Sequence, residues 1–172
     1  MDKLILVDMN DQEIGTASKT EVHQKGLLHR AFSVFLFDGN TLLLQRRALD
    51  KYHCGGLWTN TCCSHPRPGE TVKGAAVRRL QEELGIDLPE DALREVHDFV
   101  YRAPFTNGVT EFEYDHVLVG EYAGDYRCSP DEVDSAKRID LEELKESIRT
   151  QPEKYTPWFI TSLKEAIKGR QA

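Results

Sequence analysis

Apolar positions along this chain fall into short dense runs and one clear helical stripe. Residues 3–9 (KLILVDM), 30–37 (RAFSVFLF) and 41–46 (TLLLQR) are apolar runs of strand length. The second and third are joined by Asp38-Gly39-Asn40, a hairpin signal, because Gly and Asn tolerate the positive φ of a tight turn. Residues 95–103 and 110–122 flank Asn107-Gly108 and predict a second antiparallel pair, and 133–139 predict a further strand. In 71–84 (TVKGAAVRRLQEEL), Val72, Ala76, Leu80 and Leu84 recur every four residues and predict a helix, with Thr71 as N-cap and Gly85 as the stop. Residues 141–149 and 157–169 also predict helices, the second with Pro157 in its first turn. Residues 52–70 collect Gly, Pro, Cys, His and Trp without any period. That is a long loop, and long loops inside compact domains are usually functional. Strands mixed with a few helices point to an α+β or α/β sandwich.

Length and composition narrow the class. A chain of 172 residues, 40% hydrophobic and 30% charged, reads as one soluble globular domain over 1–172. No apolar run approaches the ~20 residues that span a bilayer, so no membrane association is expected. The opening MDKLILVDMN carries acids within its first ten residues and lacks the apolar stretch of a signal peptide. A cytoplasmic location and reduced thiols are therefore expected for the four cysteines. Asp and Glu outnumber Lys and Arg by 29 to 22, a net charge of -7. That excludes a basic face for non-specific nucleic-acid binding. An anionic ligand would need local cations that the overall balance does not supply.

The helix 71–84 carries more than a stripe. From Glu70 to Ile86 the chain resembles the Nudix box, GX5EX7REUXEEXGU with U a bulky aliphatic. Glu70, Arg78, Leu80, Glu82, Glu83, Gly85 and Ile86 fill its positions. Ser64 stands where the box opens on Gly, and Arg79 where it has the Glu of the Arg-Glu pair. In Nudix hydrolases that carboxylate helps to hold the metal that activates water, so a cation there weakens a hydrolytic site. Taken alone, the helix is also an ordinary charged face, with Arg78–Glu82 and Arg79–Glu83 as i,i+4 pairs.

Other blocks extend the likeness. LHRAFSVFLF (28–37), LLLQRRA (42–48), TNTCCSHP (59–66), EFE (111–113) and TPWF (156–159) occur in the order found in type I isopentenyl-diphosphate isomerases, a branch of the Nudix fold that this chain resembles over most of its length. The resemblance implies a mixed β-sheet sandwiched by helices. The Nudix domain would cover about 27–161, after a strand and metal-ligand segment at 1–26 and with the helix 157–169 at its end.

It also implies site residues. His23, His29, His65, Glu111 and Glu113 would bind one divalent metal. Glu111 and Glu113 lie two apart on a predicted strand and so point to one face. A site mixing nitrogen and oxygen ligands suits Mn²⁺, Fe²⁺ or Zn²⁺ better than Mg²⁺. Cys63 and Glu113 would be the acid/base pair, with Tyr101 tuning and orienting the acid. Trp158 would stabilise a carbocation-like state through its ring face. Lys19, Arg47, Lys51 and Arg79 would hold the diphosphate. Mg²⁺ would bridge that diphosphate to Glu83 and the backbone carbonyl of Cys63. Cys62 reads as a packed small hydrophobe, Cys54 and Cys128 as chemically idle, and His53, His97 and His116 as structural or exposed. Each of these residues singly has an ordinary structural or surface reading; together and in order they favour the isomerase. A Nudix hydrolase of a nucleoside or isoprenoid diphosphate is the alternative, and a non-catalytic metal-dependent binding module is a third class.

Overall fold

A computed structural model of the chain describes residues 3–51 and 54–171. His53 lies outside these residues. In chain order the elements are β1 (Lys3–Val7), β2 (Glu13–Ser18), α1 (Lys19–Lys25), β3 (His29–Asp38), β4 (Thr41–Arg47), β5 (Trp58–Thr59), β6 (Cys62–Ser64), α2 (Val72–Leu84), β7 (Arg94–Pro104), β8 (Thr110–Glu121), β9 (Val133–Asp140), α3 (Leu141–Thr150) and α4 (Pro157–Arg170).

β3 explains the architecture. Its residues are apolar on both faces because both faces are covered. Phe32, Val34 and Leu36 join Leu80, Leu84 and Ile86 in one buried cluster on the α2 side. Phe35 and Phe37 join Leu144 of α3 and Phe159 and Leu163 of α4 in another cluster on the opposite side. The result is a mixed sheet between helices. β3 runs parallel to β8, in register from His29↔Glu113 to Phe37↔Glu121. β7 and β8 form the expected antiparallel pair, and β1 pairs antiparallel with β2.

The predicted hairpin of β3 and β4 forms only at its tip. The two strands pair at Phe37↔Leu42 and Asp38↔Thr41 and then part. β4 pairs with β9 along its other edge throughout, and beyond the split it takes β5, while β3 takes β6, with Ser33 opposite Cys63. The segment 52–70, which lacks periodicity, therefore holds two short strands that fill the wedge. Buried backbone groups facing a wedge must still be paired. Thr61 Oγ1 accepts from the Leu36 N–H at 2.9 Å and donates to the Leu43 carbonyl at 2.6 Å. Asn60 Nδ2 donates to the Val34 carbonyl at 3.0 Å and to the Cys62 carbonyl at 2.8 Å. Gln45 Nε2 donates to the Thr61 carbonyl at 2.9 Å.

The helices end as their sequences dictate. Thr71 Oγ1 caps α2 by accepting from the Gly74 N–H at 3.0 Å, and Gly85 ends it at φ 63°. The buried stripe is Ala75, Ala76, Leu80 and Leu84, broader than a spacing of four, and it includes Glu83; Val72 is only half-buried. β2 and α1 have no counterpart in the pattern reading. α1 is seven residues long, capped by Ser18 and closed by Gly26 at φ 65°, and it buries Val22 and His23. α4 starts at Pro157 as expected, but Thr156 makes no capping bond to it. Its hydroxyl instead pairs with Thr59 Oγ1 at 2.8 Å.

Thr61→Val keeps the shape and strips both hydrogen bonds, leaving the Leu36 N–H buried without an acceptor. It is expected to cost about 2–3 kcal/mol in urea unfolding. Thr161→Val, on exposed α4 surface where the hydroxyl bonds only the Pro157 carbonyl, should change stability by less than about 0.5 kcal/mol.

Candidate active site

Four elements converge on one end of the β3–β8 ladder. α1 presents His23, the first residue of β3 is His29, the segment after β6 supplies His65, and β8 supplies Glu111 and Glu113. Their burial overturns any reading of them as surface groups: His29 is fully buried, and His23, Glu111 and Glu113 are buried with it. The imidazole centroids lie 4.8, 5.3 and 6.0 Å apart.

The second nitrogen of two rings is already committed. His23 Nδ1 faces the Lys19 carbonyl at 2.7 Å and His29 Nδ1 the Leu27 carbonyl at 3.0 Å. A carbonyl can only accept, so both Nδ1 atoms carry the proton. That turns each Nε2 inward, toward carboxylates. His23 Nε2 lies 2.7 Å from Glu111 Oε1, and His65 Nε2 lies 3.0 Å from Glu113 Oε2. His29 Nε2 stands 3.6 Å from both carboxylates and is buried without a hydrogen-bond partner. One ligand atom from each of His23, His29, His65 and Glu111 lies within 4.8 Å of the others. Inward Nε2 lone pairs facing carboxylate oxygens, with one nitrogen left unsatisfied, fit a divalent cation.

The electrostatics fit as well. Burial, with the neighbouring His29 adding to it, pushes His65 down to about 4, so the ring is neutral at physiological pH. For Glu113, burial and the Glu111 charge work to raise the carboxyl. The neighbouring His29 and His65 imidazoles overcome them and leave it below the ordinary carboxylate value.

The cage borders a cavity that Cys63, Glu83, Trp158, Lys19, Arg47, Lys51 and Arg79 also line. Burial pushes the Cys63 thiol up to about 12, with Arg47 opposing and Glu83 and Glu113 adding to the rise. Cys62 is fully buried in the α2-side cluster, as a packed small residue should be, and its thiol also donates to Glu83 Oε1 at 3.6 Å. Glu83 further accepts from Arg79 at 2.5 Å and from Gln45 at 2.8 Å. Trp158 is buried at the start of α4, with the Arg47 guanidinium 5.4 Å from its ring centroid and Tyr101 edge-on at 6.3 Å. Tyr101 is in register with Glu113 across β7–β8, and its hydroxyl is buried without a hydrogen-bond partner. Burial, with Cys54 and Glu113 nearby, raises that phenol.

The other histidines and cysteines are not part of the cage. His116 is buried between Asp11, at 2.9 Å, and Glu95, a structural tie between β8, β7 and the β1–β2 turn. His97 is part-exposed, 4.0 Å from Glu165. Cys54 and Cys128 are half-buried free thiols.

Pattern reading missed three residues. Asp115 continues the alternation of Glu111 and Glu113 on the buried face of β8 and accepts from Ser33 at 2.9 Å. The same period of two could have found it. Gln45, buried on β4, ties Thr61 to Glu83. Glu132 lines the cavity from the stretch before β9 and had no sequence signal.

Comparison with known proteins agrees with this geometry. The NUDIX domain family matches residues 27–159, and the chain belongs to it. Among solved structures, the MutT NUDIX hydrolase from Burkholderia pseudomallei superposes with a TM-score of 0.64 at 19% identity, over 80% of this chain and 97% of that one. The MutT protein from Methanosarcina mazei Go1 gives 0.64 at 16%, over 84% and 96%. Those likenesses define the fold. Two full-length relatives are more specific. Isopentenyl-diphosphate Delta-isomerase 2 of Aromatoleum aromaticum is 49% identical, over 98% of this chain and 88% of that protein. The protein of the same name from Photorhabdus laumondii is 50% identical, over 96% and 90%. Within the NUDIX family, the chain is thus a member of the isopentenyl-diphosphate Delta-isomerases.

A metal held by this cage would contribute to stability. Purified protein should contain a divalent metal by elemental analysis. Stripping it with a chelator should remove about 2.7 kcal/mol, the linkage expected at a hundredfold excess of metal over Kd. That corresponds to a drop of roughly 5–10 °C in Tm. The double variant His29→Ala/Glu111→Gln should melt at the same temperature with and without chelator.

Proposed function

We propose that the chain interconverts isopentenyl diphosphate and dimethylallyl diphosphate at this cavity, by moving one proton onto and another off the ends of an allyl unit. The observation that carries the reading is the shared cavity. It brings a histidine/carboxylate cage, a half-buried thiol, a tryptophan and four cations to one place.

The reaction leaves the diphosphate intact. A proton adds to the terminal carbon of the alkene, positive charge develops at the tertiary carbon, and a proton leaves the carbon on its other side. This needs one group that holds a proton and one that lacks it. Burial keeps the Cys63 thiol protonated, while the neighbouring His29 and His65 imidazoles favour the ionised form of Glu113. The pair therefore differs by one proton. Because the interconversion is reversible, the group that gives a proton in one direction receives it in the other. Tyr101, opposite Glu113 and with its hydroxyl available, orients the proton held there. The buried Trp158 offers its ring face to the developing cation, an interaction worth ~2 kcal/mol in a desolvated pocket, and with the cavity walls it excludes water that would otherwise add to that cation.

At the other end, Lys19, Arg47, Lys51 and Arg79 bind the phosphoryl oxygens. Mn²⁺ or Zn²⁺ on His23, His29, His65, Glu111 and Glu113 would fix the Glu113 carboxylate, and Mg²⁺ on Glu83 and the Cys63 carbonyl would neutralise diphosphate charge. Arg79 weighs against hydrolysis: the residue in place of a box carboxylate donates to Glu83 and supplies a cation for the same diphosphate.

Incubation with isopentenyl diphosphate in deuterated water should give dimethylallyl diphosphate carrying deuterium; release of phosphate without allylic product would identify a hydrolase instead. Cys63→Ala and Glu113→Gln should each lower kcat at least about a hundredfold, with diphosphate affinity changed little.

A further inference from the structure

Glu132 has no role in the chemistry above, yet its carboxylate sits among the cations. It contacts the Lys51 ammonium and lies 3.4 Å from Arg79 Nη2. It is held there by its backbone. The Ser129 N–H donates to the Glu83 carbonyl at 2.8 Å, the Glu132 N–H returns to the Ser129 carbonyl at 3.0 Å, and the Ala48 N–H donates to the Glu132 carbonyl at 3.3 Å. The turn is thus fastened both to α2, which carries Arg79 and Glu83, and to the segment that carries Lys51.

The cations around it crowd one another. Burial, together with the charges of Lys51 and Arg47, holds the Lys19 ammonium below its ordinary value, and Glu132 and Glu111 work the other way. Glu132 is the counter-charge of Lys51 and the third carboxylate around Arg79, after Glu83 at 2.5 Å and Glu82 at 3.1 Å. A diphosphate held by these cations brings its own oxygens to the same two side chains. It then competes with Glu132, because two anions packed against one cation pair repel. The isomerisation adds a reason for such competition. Substrate and product carry the same diphosphate, so a tighter grip on it stabilises ground state and transition state alike and slows departure without helping the chemistry.

We propose that Glu132 is an internal counter-ion, displaced from Lys51 and Arg79 by the substrate's diphosphate. It keeps the empty cation cluster paired and, once displaced, limits how tightly the diphosphate is held. This rests on the diphosphate reading of the site.

The probe is inorganic diphosphate with Mg²⁺, titrated calorimetrically into the metal-loaded wild-type enzyme, Glu132→Gln and Glu132→Asp. Gln keeps the size and one acceptor and drops the charge. It should bind diphosphate roughly fivefold more tightly, with KM for isopentenyl diphosphate lower by a similar factor and kcat not increased. Asp keeps the charge and should stay within about twofold of wild type. The affinity gap between Gln and wild type should shrink with added salt. A misfolded variant would lose affinity, so tightening cannot come from damage. Equal or weaker binding by Glu132→Gln overturns the counter-ion role. Failure of the wild-type enzyme to bind inorganic diphosphate overturns the diphosphate reading itself.

Discussion

A backbone amide removed from water must find a partner, and the split between β3 and β4 is built around that requirement. Two apolar strands joined by a tight turn would ordinarily zip along their length. Here they part after two residue pairs, and Thr61 and Asn60 take over the bonds that zipping would have made at Leu36, Leu43 and Val34. These side chains are fully buried, so water does not substitute for them. Because the wedge is satisfied, Cys62-Cys63-Ser64 can be drawn in as β6 against β3. That places Cys63 and His65 at the cage. Cys63 is exact in position because it follows directly from a segment whose hydrogen bonds are nearly all used.

The charge pattern follows a related rule. A net -7 chain concentrates Lys19, Arg47, Lys51 and Arg79 around one cavity. It tolerates that concentration by pairing Lys51 and Arg79 with buried or part-buried acids, Glu83 and Glu132. At the cage the logic inverts: acids and imidazoles face one another, an arrangement that a cation would balance. Cation cluster and cage share walls, so each sets the field at the other.

Much of this was legible in the chain. β3, α2, the β7–β8 pair, β9, α3 and α4 follow from runs of apolar residues and from caps at Thr71 and Gly85, which are local signals. The site residues were legible through motif order, since His23, His29, His65, Glu111 and Glu113 are each unremarkable alone. What failed to show depends on distant partners. The β3–β4 split depends on Thr61, some twenty residues away. α1 is too short to form by its own propensity and is held by Val22 and His23 packing inward. Glu132 matters only because a turn sets it beside Lys51, 81 residues earlier.

The hydroxyl pair of Thr59 and Thr156 carries a consequence for how the molecule is made. It joins the middle of the chain to the start of its final helix, and α4 also brings Phe159 and Leu163 to cover Phe35 and Phe37 of the sheet. On the ribosome the residues of the cage emerge well before α4 does. Until α4 docks, Phe35 and Phe37 lack the cover of Phe159 and Leu163, and the wall formed by Trp158 is missing. The side chains of the cage and the wall of the cavity therefore leave the ribosome at different times, the wall last.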